Sequence, residues 1–324
     1  MPSLQPSASD VHVDAIMTNH SVAYIQQAND FIASQFCPRV PVQKQSDKYY
    51  VFTKGDWFRD EAQQRAGSAE SIGAGYSLST DSYFSEQYSI HKDVSRDVKA
   101  NTDNPLDWRR NATQLVTQRL LLRREVEFAS TCLTTSVWGT DKVGGSDFTK
   151  WSDYSNSDPI EDIEDGCSTV LQNTGFKPNT LVLGYEAWKE LKHHPDIVDR
   201  YKHTTAEAIT VDMVARLLEL DRILVAKAVK NTGVEGATDA FSFVAGKNAL
   251  LAHVAPNPGV EVPSAAYMFS WTELFAGAGV QSDMVISSID MPERNGTTRI
   301  EGDMCFDFKI VGADLGYFFS ACVA

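Results

Sequence analysis

The chain has 324 residues, 43% hydrophobic and 22% charged, a composition ordinary for a globular protein with enough length to bury a core in two or more lobes. Its 43 acidic against 29 basic residues give a net charge of −14, which repels nucleic acid and argues against a groove that reads bases or tracks phosphates. No apolar stretch approaches the roughly 18–20 residues that span a bilayer, and the opening MPSLQPSASD lacks the order of a secretory signal, so a soluble product made inside the cell is expected.

In chain order, residues 1–20 are polar and carry Ser and Pro, as a terminal arm would. Residues 21–36 place Val22, Ile25, Ala28 or Phe31, Ile32 and Phe36 at helical spacing, and the two prolines of CPRVPV then forbid continuation. The stretch 48–71, KYYVFTKGDWFRDEAQQRAGSAES, starts as a strand and dissolves into small polar residues. A second strand follows at 83–94, with Phe84, Tyr88, Ile90 and Val94 on one face and Ser85, Gln87, Ser89, His91 and Asp93 on the other. The spacing predicts a two-stranded ribbon over 40–98 with a polar tip at 60–80, reaching roughly 30–35 Å at about 3.3 Å per residue. It has aromatic residues but no third strand of its own.

A long helix is predicted from Asn104, as N-cap before Pro105, to about Leu133. Its apolar stripe is read as Trp108, Ala112, Leu115, Leu122, Val126, Ala129 and Leu133, and Trp108, Leu115, Leu122 and Val126 are expected to pack it. Arg109, Arg110, Arg119, Arg123 and Arg124 interleave with Glu125 and Glu127 and are read as a solvated or paired face. After a polar loop at 139–157 comes a helix from Asp158 to Asn173, with an acidic first turn matched to the dipole and Gly175 as its stop. From 176 the pattern alternates: the strand NTLVLG, a helix broken at Pro195, the helix TVDMVARLLEL, the strand RILVAKAV, and FSFVAGKNALLAHVA read as strand, tight turn and strand. DMVISSIDM and RIEGDMCFDFKIVGADLGYFF return to long β-structure, with Met304, Phe306, Phe308 and Ile310 on one face.

Nothing nominates chemistry. Cys37, Cys132, Cys167, Cys305 and Cys322 are odd in number, lack a CxxC pair and read as reduced, mostly buried thiols. His193 and His194 point about 100° apart on a helix and cannot share an ion without distortion. AGKNA at 245–249 fails the phosphate-loop pattern at Phe241 and Asn248, and reads as a hairpin turn. No enzyme, metal site or cofactor is therefore expected.

A lone ribbon is marginal in water, so the surface it needs should belong to another molecule. Tyr50, Phe52, Trp57, Phe58, Arg59, Asp60, Glu61 and Arg65 are the expected inter-subunit contacts, with the charges setting register.

The stretch FCPRVPVQKQSDKYYVFTKGDWFRDEAQQRAGSAES resembles the opening of tailed-phage major capsid proteins of the Hong Kong 97-type fold. The likeness continues through NPLDWRRNATQLVTQRLLLRREVEFAS, KPNTLVLGYEAWKELKHHPDIVDRYK and FVAGKNALLAHVAP, nearly the whole chain. It implies an α+β fold with an N-terminal arm (1–39), an extended loop over a neighbour (40–98), a peripheral domain with the spine helix (99–175), an axial domain (176–272) and long strands returning to the periphery (273–324). It also implies pentamers and hexamers in an icosahedral head around double-stranded DNA, contacted without sequence specificity. Further partners implied are a separate scaffolding protein, a portal and a cement protein, with no membrane. Crosslinking through Lys48 or Lys54 is less expected than a solvated or ion-paired lysine. The same fold serves encapsulin-type shells around a cargo, and a soluble hydrolase using 176–272 is the rival from another class.

Overall fold

The structure is a computed structural model, described here for residues 26–52, 54–65, 67, 70–101, 107–201, 209–259, 262–274 and 283–324. Two mixed sheets organise it. In the first, Thr297–Ile310 pairs antiparallel with Glu86–Val94, Met284–Met291 and Ala266–Trp271, and Arg39–Val42 adds parallel to the last of these. The second runs in the order Thr140–Val143, Gly316–Ser320, Ala249–Ala252, Thr180–Gly184, Arg222–Ala226, with parallel pairs at both edges. Strands from 140–143 and 316–320 thus complete a sheet whose other members lie within 176–272.

Alternation along the second sheet explains why it is buried on both faces. Val182, Leu250 and Phe318 turn toward a core shared with the long helix and the first sheet, where Val116, Phe128, Met304, Phe306 and Phe308 also lie. Leu181, Leu183, Leu251 and Phe319 turn toward a second core closed by the helices Pro159–Thr174, Tyr185–His193 and Val211–Leu217. The local signals work as expected there. Asp158 accepts hydrogen bonds from the backbone N–H groups of Ile160 and Glu161, and Gly175 ends the helix at φ 73°, in the left-handed region. His194, held extended by the proline that follows, separates Tyr185–His193 from Pro195–Tyr201.

Four expectations change. Asn104 and Pro105 lie outside the described residues; the long helix runs Trp108–Cys132, and Asp107 caps it through Arg109 N and Arg110 N. Of the expected 21–36 helix, the described part is a 3-10 turn at Ala28–Asp30 and one turn at Ala33–Phe36. Glu86–Val94 is not the return strand of the ribbon but pairs along nine residues with the long strand of the first sheet. AGKNA is not a hairpin turn. Phe241–Phe243 pairs with Val229–Asn231, while Ala249–Ala252 joins the second sheet, and between them the loop pins the C-terminus: Lys247 Nζ donates to Ala324 O and Ala321 N donates to Asn248 Oδ1.

The helix face also differs in phase. Ala112, Val116, Leu120 and Phe128 turn inward, whereas Leu115 is 43% exposed and Trp108, Leu122 and Val126 are only half-buried. Two charged residues hide the true inward face from a hydrophobicity reading. Arg124 Nη1 bonds Asp283 Oδ2 at 2.7 Å, and the Glu125 carboxylate, 2% exposed, accepts from Ile32 N and Ala33 N at 3.0–3.2 Å. Glu125 thereby caps the turn of helix at 33–36 from across the core.

Burial pushes the Glu125 carboxyl above its ordinary value, although the two N–H donors and Arg124 pull the other way. A raised native value means that the folded state holds the proton more tightly. The stability this gives is complete at pH below the ordinary carboxylate value and is lost as pH rises through the native one. Urea midpoints of the unassembled subunit should therefore fall over that window, and Glu125→Gln should flatten the fall. Parallel curves for the two proteins would refute this reading.

Candidate assembly surface

Ser46–Phe52 and Leu78–Phe84 form the ribbon, in register from Ser46↔Phe84 to Phe52↔Leu78 and, among the described residues, with no third strand. At Ser85 the chain leaves this pair for the first sheet. Ser85 N donates to Gln45 O, Gln45 Nε2 donates to Ser85 O, and the buried Ser85 hydroxyl donates to Phe269 O. The two ends of the ribbon are thus tied to each other and to the sheet beneath.

The base is held by aromatic stacking. Tyr83 lies on Phe269 with ring centroids 4.6 Å apart at 10°, and Tyr49 stacks on the same ring at 5.6 Å. Tyr49 Oη donates to Asp81 Oδ2 at 2.8 Å; burial, then this bond, pushes the phenol up, and the same bond holds Asp81 down. Phe84 N donates to Asp307, whose carboxyl is pushed up by burial.

The tip has its own cluster, which corrects the expectation of a ribbon without any core. Phe52, Trp57 and Tyr76 sit with ring centroids 5.7–6.1 Å apart, and Ser77 N donates to Asp56 Oδ2. Arg59 pairs with Asp56 at 3.6 Å and with Glu61 at 3.3 Å. The tip also touches its own subunit: Lys54 pairs with Asp314, and the Phe58 ring lies against Gly175, where a Cβ would stand 3.3 Å from Cζ. Lys54 is thus ion-paired within the single chain.

What remains uncovered is apolar. Tyr50 is 71% exposed, Trp57 and Phe58 are each 62% exposed, and Phe52, Ile72, Tyr76, Leu78 and Phe84 are exposed as well. Asp60 and Arg65 are also on the surface. The structure brings Phe52, Trp57, Phe58, Arg59 and Glu61 together at the tip and leaves Tyr50 on the shaft. Sequence reading missed Tyr76, because it stands in a run otherwise of Gly, Ser and Ala, and missed Tyr49, Tyr83 and Phe269, whose stacking depends on pairing between distant segments.

Elsewhere the polar clusters do structural work. His194 is buried and shares a 3.0 Å hydrogen bond with Ser157, while His193 is exposed, so the two rings do turn apart. All five cysteines are free and buried. Among the described residues no group of three or more His, Cys, Asp or Glu could hold a metal ion, and no helix is long and apolar enough to cross a membrane.

Residues 144–257 match the family described as phage major capsid protein E. A major capsid protein of Burkholderia phage BcepMu is 27% identical over 243 residues, 75% of this chain and 76% of its own; one of Pseudomonas phage JBD67 is 27% identical over 69% and 71%. The chain is similar to these phage major capsid proteins. In fold it is similar to a crystallised phage-related protein of Bordetella bronchiseptica (TM-score 0.68, 24% identity, 96% of this chain and 97% of that one). The capsid structure of cyanophage P-SCSP1u gives 0.65 at 10% identity over 96% and 93%. The fold is thus the Hong Kong 97-type capsid fold.

Proposed function

We propose that the chain assembles with itself, as pentamers and hexamers, into an icosahedral head that encloses double-stranded DNA. The observation that carries this is the ribbon of 46–84: stacked firmly at its base, paired only within itself, and covered along its length with exposed aromatics. Such a surface on a lone subunit marks a contact with another chain. Tyr50, Phe52, Trp57 and Phe58 bury against a neighbour, while Arg59, Asp60, Glu61 and Arg65 set register at the rim. Residues 176–272 act as the axial domain near the symmetry axes, and 99–175 with 273–324 as the peripheral one. The charge of −14 suits a lining that holds DNA without gripping it, contacting it without sequence specificity. A separate scaffolding protein, a portal and a cement protein complete the head, and the subunit is made in the host cytoplasm.

Electron microscopy and size-exclusion mass of the recombinant full-length protein test this. Closed shells of pentamers and hexamers, with interfaces burying on the order of 2,000 Å² or more, are expected. A stable dimer or tetramer that never closes would sink the reading, and small shells that retain a cargo protein would move it to a compartment shell.

A further inference from the structure

Three contacts climb one face of the long helix and hold the turn at 33–36 against it. The Glu125 carboxylate accepts from Ile32 N and Ala33 N, the Phe128 ring lies 5.5 Å from that of Phe36, and the Cys132 thiol is hydrogen-bonded to the Cys37 thiol. Positions 125, 128 and 132 fall three and four apart, so all three side chains leave the helix on one side. Cys37 and Cys132 are fully buried in the core that the two sheets share. Their backbones are pinned as well: Cys37 N donates to Ala33 O at 3.0 Å, and Trp138 Nε1 donates to Cys132 O at 2.7 Å. The other three cysteines are placed differently. Cys305 Sγ donates to Ser85 O and Cys322 Sγ to Phe319 O, while Cys167 lies in the second core.

We propose that Cys37 and Cys132 are the two halves of a disulfide that forms when the chain meets a peroxide oxidant, latching the strand that leads into the ribbon to the end of the long helix. The covalent loop so closed, 37–132, contains the whole ribbon of 46–84 and Glu86–Val94. Arg39–Val42, two residues beyond Cys37, is four residues long and lies at the edge of the first sheet, so the tie falls where the ladder is short.

The step balances with one hydrogen peroxide. The Cys37 thiolate attacks it, the O–O bond breaks, and the sulfur is oxidised to a sulfenic acid while hydroxide leaves and takes up the thiol proton as water. The Cys132 sulfur then displaces the sulfenic oxygen, which departs with the second thiol proton as another water, and the S–S bond forms. Burial, then Cys132 and Glu125 beside it, pushes the Cys37 thiol well above its ordinary value. The closed subunit therefore presents almost no thiolate there, and reaction waits for the short turn at 33–36 to open. Reclosure returns the sulfenic acid to Cys132. A reducing cytoplasm keeps the pair as thiols, and an oxidising exterior sets the latch.

This goes beyond the assembly reading, and its test uses the unassembled full chain, so the outcome does not depend on whether shells form. Subunits are treated with a small excess of hydrogen peroxide in native buffer, denatured in N-ethylmaleimide and weighed. Three alkylated cysteines, a loss of two hydrogens and a peptide pair joined at Cys37 and Cys132 are expected. Exchange of the Phe36 and Cys37 amides, which bond Ile32 O and Ala33 O, should slow roughly tenfold against the reduced protein. Cys132→Ala should lose both the link and the slowing, each read as oxidised against reduced protein so that any cost of the substitution cancels. Five alkylated cysteines, oxygen added at Cys37 without a link, or a link that leaves exchange unchanged would overturn the proposal. So would a link through Cys167, Cys305 or Cys322, or one between two chains.

Discussion

Replacing Trp57 and Phe58 together with serine should abolish shell formation while leaving the subunit folded. Each ring is 62% exposed in the single chain, so what they bury at home is modest. Trp57 loses contacts to Phe52 and Tyr76, and Phe58 loses Gly175. The base stacking of Tyr83 and Tyr49 on Phe269 is untouched, so the ribbon stays attached. Against a neighbour the balance is different. Aromatic anchors at the centre of an interface cost about 2–4 kcal/mol each when truncated. At about 1.4 kcal/mol per tenfold, losing even one such contact raises the concentration needed for assembly some 30- to 1,000-fold, and every subunit carries the loss. Sedimentation velocity should show a monodisperse small species with a near-native melting temperature. A monomer that melts far below the parent would place these rings in the subunit's own core and remove the ribbon from the interface.

Arg124→Ala should destabilise the subunit itself, by about 3–5 kcal/mol, because it leaves the Asp283 carboxylate half-enclosed without its partner. The pair joins the middle of the long helix to the start of Met284–Met291, at 2.7 Å and with both side chains largely covered. For a domain whose total stability is about 5–15 kcal/mol, that loss is a large share of what holds it folded. The converse change is informative. Arg124→Met with Asp283→Leu removes both charges and fills the space, so most of the lost stability should return. A urea-denaturation double-mutant cycle measures this directly. Additive losses, with no recovery in the apolar pair, would mean the two residues act separately.

Whether the ribbon faces a neighbour and whether Arg124 faces the sheet were not equally readable. What the chain sequence determined alone was everything set by a few adjacent residues: the cap at Asp158 and stop at Gly175, the buried strand Thr180–Gly184, the break before Pro195, and the aromatic content of a ribbon with no third strand. These depend on backbone dihedrals and on hydrogen bonds spanning at most one turn, which the residues themselves dictate. Tertiary structure decided the partners. Glu86–Val94 has the alternation of a ribbon strand, yet it pairs with Thr297–Ile310, some two hundred residues away, because that register joins Tyr88, Ile90 and Val94 to the main core. The long helix reads as one apolar stripe, yet its inward face includes Arg124 and Glu125. Burying a charge becomes acceptable only where Asp283 and the Ile32 and Ala33 amides wait for it. No local pattern encodes such pairings, since their free energy belongs to two distant segments at once and appears only when both are in place.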